Sequence, residues 1–287
     1  METVNRAHDI FCDGQLPNVI GSHMIDEEHS NLHARLIHMH EKELELFFVY
    51  HGQGQYMVNG RSYSVQEGDM VICNAKILHG EEPNQTRRMH SYSIALTNVQ
   101  LPDLPENWLI SSDTIPIVSF SLLSKQIGEM MRLTYTLFSD QRNLERVCTY
   151  IGISVLLLTF DLLQSRASRY TVGLPSTASI LAKRMQRYLD EHFHEQVSLR
   201  TLSENLHISE YYLAHVFKQE VGKPPMKYVM QRRIGEAQSL LMDTLLPISE
   251  ISERFGYSSP CHFNAMFKKY VGMSPTQYRD SFFRKET

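Results

Sequence analysis

Two histidines one residue apart, His38 and His40, are followed after four residues by Glu45, and a third histidine, His79, comes after further apolar stretches. Neutral imidazole and carboxylate are ligands that suit Fe, Mn, Ni or Zn, so these four groups could hold a divalent transition metal. The same donors and acceptors could instead bind a small polar effector directly, or simply satisfy one another at the mouth of a β enclosure. On extended chain His38 and His40 point to one face, while Glu45, Phe47 and Val49 share a face of the following strand. If both faces turn inward, the three polar groups converge with His79, and Phe47 lines the same pocket.

The elements around these residues read as β structure. From about Leu32 to Leu96 the pattern has period two, in L-E-L-F-F-V-Y, Q-Y-M-V-N-G-R-S-Y-S-V and D-M-V-I-C. Turns are expected at H-G-Q-G, N-G and E-G-D, and Asn59-Gly60 between alternating runs predicts a hairpin. Short strands at this spacing predict an all-β sandwich or barrel. The arrangement H-x-H, Glu45 and Gly52, then Gly68-Asp69 and His79, resembles the cupins. The resemblance implies a barrel whose first motif supplies His38, His40 and Glu45 and whose second supplies His79. The sequence departs from the second cupin motif where Asn74 and Lys76 replace the usual Pro and Gly, and no Gly stands six residues before His38.

The C-terminal part says one thing twice. F-K-Q-E-V-G-K-P-P-M-K-Y at Phe217 to Tyr228 recurs as F-K-K-Y-V-G-M-S-P-T-Q-Y at Phe267 to Tyr278, with Phe, Lys, Val, Gly, Pro and Tyr in the same places. Upstream of each lies a short amphipathic stretch, Leu199, Leu202 and Leu206 in one and Ile248, Ile251 and Phe255 in the other. Tight turns follow at His207 to Ser209 and Gly256 to Ser258. Ser209, and Ser259 before Pro260, then give start signals for a second helix. Leu213, Val216 and Phe217, and in the other copy Phe263, Met266 and Phe267, bind that helix to its core. Helix, turn and helix occur twice. Between the copies, Pro225 to Met242 predicts a linking helix roughly 27 Å long. That approaches the ~34 Å between successive major-groove faces on one side of DNA.

These residues, with R-I-G-E-A at Arg233 to Ala237 and the P-x-x-Y ending of each unit, resemble the AraC/XylS family of bacterial transcription regulators over about Thr177 to Arg284. Ser203 and Ser252 stand where that family often has Ala. The resemblance implies that outward positions early in each second helix read bases: Tyr211, Ala214 and His215 in the first, Pro260, Cys261, His262, Asn264 and Ala265 in the second. His215 and Asn264 can exchange hydrogen bonds with base edges, and Tyr211, Ala214 and Ala265 can offer apolar contact. Lys218, Lys223, Arg232, Arg233, Arg254, Lys268 and Lys269 are candidates for phosphate contact, which sets affinity and salt dependence. The partners implied are double-stranded operator DNA, a small-molecule effector in the barrel, which a sugar or sugar derivative would fit at family level, and RNA polymerase.

Between barrel and readers, Phe120, Leu123, Ile127, Met130, Thr134 and Leu137 repeat at helical spacing, as do Val147, Ile151, Val155, Leu158 and Leu162. The second run also has Leu156, Phe160 and Leu163 on another side. A second protomer could cover that side, giving a homodimer, or the neighbouring helix could cover both. Ser165 to Ser179 reads as an interdomain linker. The expected organisation is therefore multidomain: an all-β cupin-like effector domain at 1–110, connecting helices at 111–170, and an all-α domain with two helix-turn-helix units at 171–287.

The charge is divided. Residues 1–174 hold 13 Lys and Arg against 20 Asp and Glu, whereas residues 175–287 hold 15 against 12, as befits a part that meets nucleic acid. Cys12, Cys73, Cys148 and Cys261 have no finger or C-x-x-C spacing, so neither a disulfide framework nor a zinc finger is expected. The run Ile151 to Phe160 is too short to span a bilayer, and no secretory signal is read at the start, so a bacterial cytoplasmic protein without membrane contact is expected. No cofactor is required by this reading, although a divalent metal fits the barrel. The competing class is a metal-dependent cupin oxygenase or isomerase using His38, His40, Glu45 and His79, with the helical domain as a tether.

Overall fold

A computed structural model describes residues 11, 15–25, 35–82, 87–140, 144–167 and 177–283. The first domain is a seven-stranded antiparallel sheet: β1 (Asn18–Ile25), β2 (Leu44–Val58), β3 (Arg61–Gln66), β4 (Asp69–Cys73), β5 (His79–Glu81), β6 (Arg87–Thr97) and β7 (Ile117–Ser119). Its spine is β2, which pairs with β6 and β4 along its first half and with β3 and β5 along its second. Alternation along β2 divides two cores. Leu44, Leu46 and Phe48 face α1 (Ser124–Phe138) and α2 (Glu145–Ala167), while Phe47 and Val49 join Tyr56, Val58, Val65, Val71 and Cys73 on the other face.

The expected turn at H-G-Q-G is absent, because β2 continues through it. Gly52 takes a φ of 85° there, and the register with β6 shifts on either side of His51. The extra residues bend the strand without ending it, as a bulge does. The hairpin at Asn59-Gly60 forms as the alternation predicts, with positive φ at both residues. Beyond residue 110 the chain has not left the sheet: β7 pairs with β4.

Helices α1 and α2 both pack on the sheet, burying Ile127, Met131, Cys148, Ile153, Val155 and Leu156. Helix α2 is longer than the apolar run suggested, and by length and composition alone it could cross a bilayer. Here one of its sides lies in the sheet core. The middle of the expected linker, residues 168–176, lies outside the described residues.

The second domain is helical: α3 (Thr177–His192), α4 (Leu199–Leu206), α5 (Glu210–Val221), α6 (Pro225–Asp243), α7 (Ile248–Arg254), α8 (Pro260–Val271) and α9 (Pro275–Phe283). The duplication in sequence is a duplication in geometry. Phe217 meets Tyr228 and Phe267 meets Tyr278 edge to face, each pair with ring centroids 5.5 Å apart. Ser209 accepts from the Tyr212 N–H and Ser259 from the His262 N–H, capping α5 and α8. His207 and Gly256 both take positive φ at the turns. The linking helix α6 runs 19 residues, about 28 Å.

The two domains share their cores. Leu36 is buried among Ile234, Leu241, Phe263 and Phe267 of the second unit, and Ile37, Met57 and Leu78 are buried among Leu189, Phe217 and Tyr228 of the first.

Candidate metal centre and nucleic-acid interface

The strap that carries H-M-H is not a regular strand. Residues 35–40 run beside residues 76–81, joined by the paired bonds His38 N to His79 O (2.9 Å) and His79 N to His38 O (3.0 Å), and by Lys76 N to His40 O (2.8 Å). Lys76, at the place where the cupin motif has glycine, adopts a φ of 62°. Asn74 ties down the distant segment at Leu109 and Ile110, donating to Ile110 O and accepting from Leu109 N. Although the strand geometry expected for His38 and His40 does not form, the four groups still converge.

His79 Nε2 lies 2.9 Å, His40 Nε2 3.1 Å and His38 Nε2 3.8 Å from one oxygen of Glu45. One ligand atom from each residue falls within 4.8 Å of all the others. The opposite ring nitrogens are committed: His38 Nδ1 lies 2.8 Å from Leu36 O, His79 Nδ1 2.8 Å from Ile77 O, and His40 Nδ1 3.1 Å from a Glu43 carboxylate oxygen. A ring whose Nδ1 donates to its oxygen keeps Nε2 free to ligate a cation, and without one the Nε2 atoms of His40 and His79 stand at hydrogen-bond distance from Glu45. Burial holds the His38 imidazole well below its usual range, with Arg35 acting the same way, and burial also lowers His79. Imidazolium is thereby disfavoured at both. Burial by itself pushes the Glu45 carboxyl up, but the three histidines outweigh it and hold it well below the usual range.

Three Nε2 atoms and a carboxylate oxygen that converge in this way can ligate one cation. His38 Nε2, fully buried, has no hydrogen-bond partner. The outer carbonyls and Glu43 orient the rings as outer partners of metal ligands do. The residues thus fit a divalent transition metal. Phe47 does not join them. Two residues further along the same face, its ring packs against Tyr56 at 4.5 Å in the apolar core. In the cluster His38, Glu45 and His79 are buried and His40 is half-buried. A separate pocket of about 140 Å³, lined by Arg61, Tyr63, Trp108 and Lys183 among others, spans both domains and does not include the cluster.

On the helical domain the residues expected to read bases stand outward. Tyr211 is 84% exposed and its ring lies parallel to that of His215, with centroids 6.5 Å apart. His215, Pro260, Cys261, His262, Asn264 and Ala265 are exposed, and Ala214 is half-buried. Lys218, Arg254, Lys268 and Lys269 are also exposed.

Three cations expected at phosphates are instead held inside the protein. Lys223 pairs with Glu82 of the sheet domain and donates to Gln231 Oε1 at 2.9 Å. Arg232 pairs with Glu236 and lies over the Phe193 ring at 4.6 Å. Arg233 donates to the carbonyls of Phe193 (2.6 Å) and Glu195. All three are buried with their charged groups turned to partners within the protein, which is a reason to read them as structural residues and not as phosphate contacts.

Two glutamines that the motifs did not single out complete the duplication. Gln186 Nε2 donates to the Tyr228 hydroxyl and Gln238 Nε2 to the Tyr278 hydroxyl, each at 3.2 Å. Each sits on the helix that leads its unit, α3 or α6. Their signal was present but faint, a polar residue on an otherwise apolar helix side.

The helix-turn-helix domain family matches residues 202–281, and the cupin domain family matches residues 33–93. The chain is similar to the uncharacterized HTH-type transcriptional regulator YdiP of Escherichia coli K12, 26% identical over 247 residues that span 85% of this chain and 81% of that protein. It is similar to the HTH-type transcriptional activator RhaS of Enterobacter sp., 24% identical and covering 96% of this chain and 97% of that one. Among solved structures, the C-terminal domain of AraT, a response regulator from Geobacillus stearothermophilus, is 37% identical over 37% of this chain and 88% of its own, with a TM-score of 0.36.

Proposed function

We propose that this chain, a transcriptional regulator with an AraC-type DNA-binding domain and a cupin domain, is a signal-responsive, sequence-specific reader of operator DNA. Its relatives are named as regulators and activators, consistent with a non-enzyme, so the four-residue cluster is read as a sensor rather than a catalytic centre. One observation carries the reading. In both units the second helix buries its inner side, Leu213 and Phe217 or Phe263 and Phe267, and presents to solvent the residues able to meet base edges.

Helices α5 and α8 lie at either end of α6, whose length suits adjacent major grooves on one face of a duplex. The unlike outer residues of the two copies would read unlike halves of one operator. Arginine is missing from those positions, so apolar contact and DNA shape weigh more in specificity than bidentate guanine contacts. Lys218, Arg254, Lys268 and Lys269 supply phosphate contacts. The cluster receives the signal as a divalent transition metal, or as a small polar effector held by the same four groups, and the convergence of four ligand atoms favours the metal. The half-covered side of α2, where Val147 is 46% and Tyr150 60% exposed, is the face proposed for a homodimer. The protein would act in the bacterial cytoplasm together with RNA polymerase.

The test is binding to a DNA site selected from a random pool. Lys268→Ala should weaken binding to all sequences alike and reduce the salt slope by roughly 0.9. His215→Ala and Asn264→Ala should each relax preference at particular base pairs, worth about 1–3 kcal/mol of discrimination. Loss of discrimination from the lysine change, with none from the other two, refutes these roles.

A further inference from the structure

One short stretch of chain touches both the histidine cluster and the helix that joins the two readers. Residues 35–40 supply His38 and His40 to the cluster. The same strap is fastened to α6: the Leu36 N–H donates to Gln238 Oε1 (3.0 Å), the Met39 N–H to Glu236 Oε1 (3.2 Å), and Arg35 to Ser239 Oγ (2.9 Å). Between those bonds Gly235 lets the two backbones meet, since a Cβ there would lie 2.1 Å from the Ile37 carbonyl oxygen. The side chains divide between the readers, Leu36 entering the core of the second unit and Ile37 that of the first.

The sheet domain also holds the first unit, by a different device. The Asn59-Gly60 hairpin abuts Gln186, where a Cβ on Gly60 would lie 2.4 Å from the amide oxygen. Gln186 and Gln238 are equivalent in the duplicated units, each donating to the closing tyrosine. The sheet domain thus grips corresponding points of both readers. One grip is a hydrogen-bonded hairpin. The other is an irregular strap joined to its neighbour by a single bridge pair and a few further bonds.

We infer that this strap is the transmission element between signal and reader: a divalent transition metal at the cluster draws in His38 and His40, and the strap in turn sets how α6 presents α5 and α8. The inference rests on the proposed reading of the cluster as the sensor and of the two helices as readers. Of the four ligand groups, His79 and Glu45 stand in strands, whereas His38 and His40 stand on the strap. With no cation, His40 Nε2 rests 3.1 Å from the Glu45 oxygen and His38 Nε2 is left without a partner. A cation would take one ligand atom from each of the four groups and so fasten the strap to the strands that carry Glu45 and His79. His38 Nε2, 3.8 Å from Glu45 and without a partner, has the furthest to move.

The experiment uses the full chain, stripped with a chelator and reloaded with Zn(II) or Mn(II), and a DNA site selected from a random pool. Metal content, Kd for that site, and amide exchange at Leu36 and Met39 are measured in wild type and in Gly235→Ala. Alanine favours a helix over glycine, so the substitution leaves α6 itself intact and obstructs only the strap. Loading should change the wild-type Kd by about 5- to 150-fold, the usual span of a coupling between two sites, and should slow exchange at both amides. In Gly235→Ala the metal should still bind, while the change in Kd falls to within about twofold and the two amides exchange alike in both states.

A wild type that takes up metal and binds DNA with equal affinity in both states overturns the transmission role and leaves the reader intact. An unreduced response in Gly235→Ala overturns the route through α6. Failure to take up either metal overturns this inference and the metal reading of the cluster together. Failure to select any DNA site overturns the proposed function itself. Exchange at Leu36 and Met39 in wild type decides the matter even where the variant is poorly folded.

Discussion

Replacing Lys223 by methionine separates a cation that meets DNA from one that holds the protein together. The Lys223 ammonium is 6% exposed, pairs with Glu82 at 15% exposure, and donates to Gln231 Oε1 at 2.9 Å. Methionine keeps most of the side-chain volume but removes the Lys223 ammonium from Glu82 and leaves Gln231 Oε1 without that donor. Breaking a fully buried pair costs about 3–5 kcal/mol, and the residual access of Glu82 to water brings the expected loss to about 2–4 kcal/mol. For a chain of this size that lowers the apparent Tm by roughly 4–16 °C. Because the pair joins the sheet domain to the turn after α5, the loss should appear as earlier unfolding with separation of the domains. A thermal scan gives the first readout, and the slope of log K against log salt on a selected DNA site gives the second. Lys223→Met should lower the Tm and leave the slope unchanged, whereas Lys268→Ala should leave the Tm within about 1 °C and lower the slope by roughly 0.9. A Lys223→Met protein of unchanged Tm and reduced slope would show that this ammonium reaches phosphate and would refute its assignment to the interior.

Further outcomes follow from the same geometry. His79→Ala, measured by metal analysis after dialysis against Zn(II), should abolish stoichiometric uptake, while His51→Ala, on an exposed histidine outside the cluster, should leave uptake intact. Asp190, which accepts from the Tyr228 hydroxyl at 2.8 Å, is raised to about 7, chiefly by burial and against the pull of Arg232. A carboxyl that holds its proton more tightly folded than unfolded contributes stability that is complete below about pH 4 and is lost as pH rises to about 7. Denaturant titrations across that window should show the decline in wild type and a flatter profile in Asp190→Asn, which can still accept from Tyr228. Phe267→Ala should cost about 3–5 kcal/mol by opening a cavity beside Tyr278, read as a lower denaturant midpoint.

The helical domain was legible because its information is local. Apolar spacing within seven or twelve residues, serine caps at Ser209 and Ser259, and turns at His207 and Gly256 fix each unit from its own stretch of chain, and repetition checked one copy against the other. The hairpin at Asn59-Gly60 was legible for the same reason. Gly52 was misread because H-G-Q-G suits a turn and a bulge equally, and only pairing with β6 decides between them. Lys223, Arg232 and Arg233 were misplaced because a cation looks the same in sequence whether its partner is water, phosphate or a carbonyl. The partner of Lys223 stands 141 residues away. The docking of the domains left two traces that could have been weighed: a glycine in the middle of a long helix, Gly235, and an adjacent apolar pair, Leu36-Ile37, that breaks the strand alternation just before H-M-H. A helix accepts glycine at a cost unless another backbone must come close, and here one does. The four-residue cluster was legible as a set, but its proton arrangement depends on Leu36 O, Ile77 O and Glu43, which only the folded strap reveals.

The central claim is that one chain reads two unlike DNA elements through α5 and α8, held apart by α6. Selection of sites from a random DNA pool, followed by a footprint of the bound site, tests it most directly. Two dissimilar elements should emerge, centred about one helical turn apart on one face of the duplex, with His215→Ala altering preference in one and Asn264→Ala in the other. A single element, or two substitutions that alter the same base pairs, would contradict it.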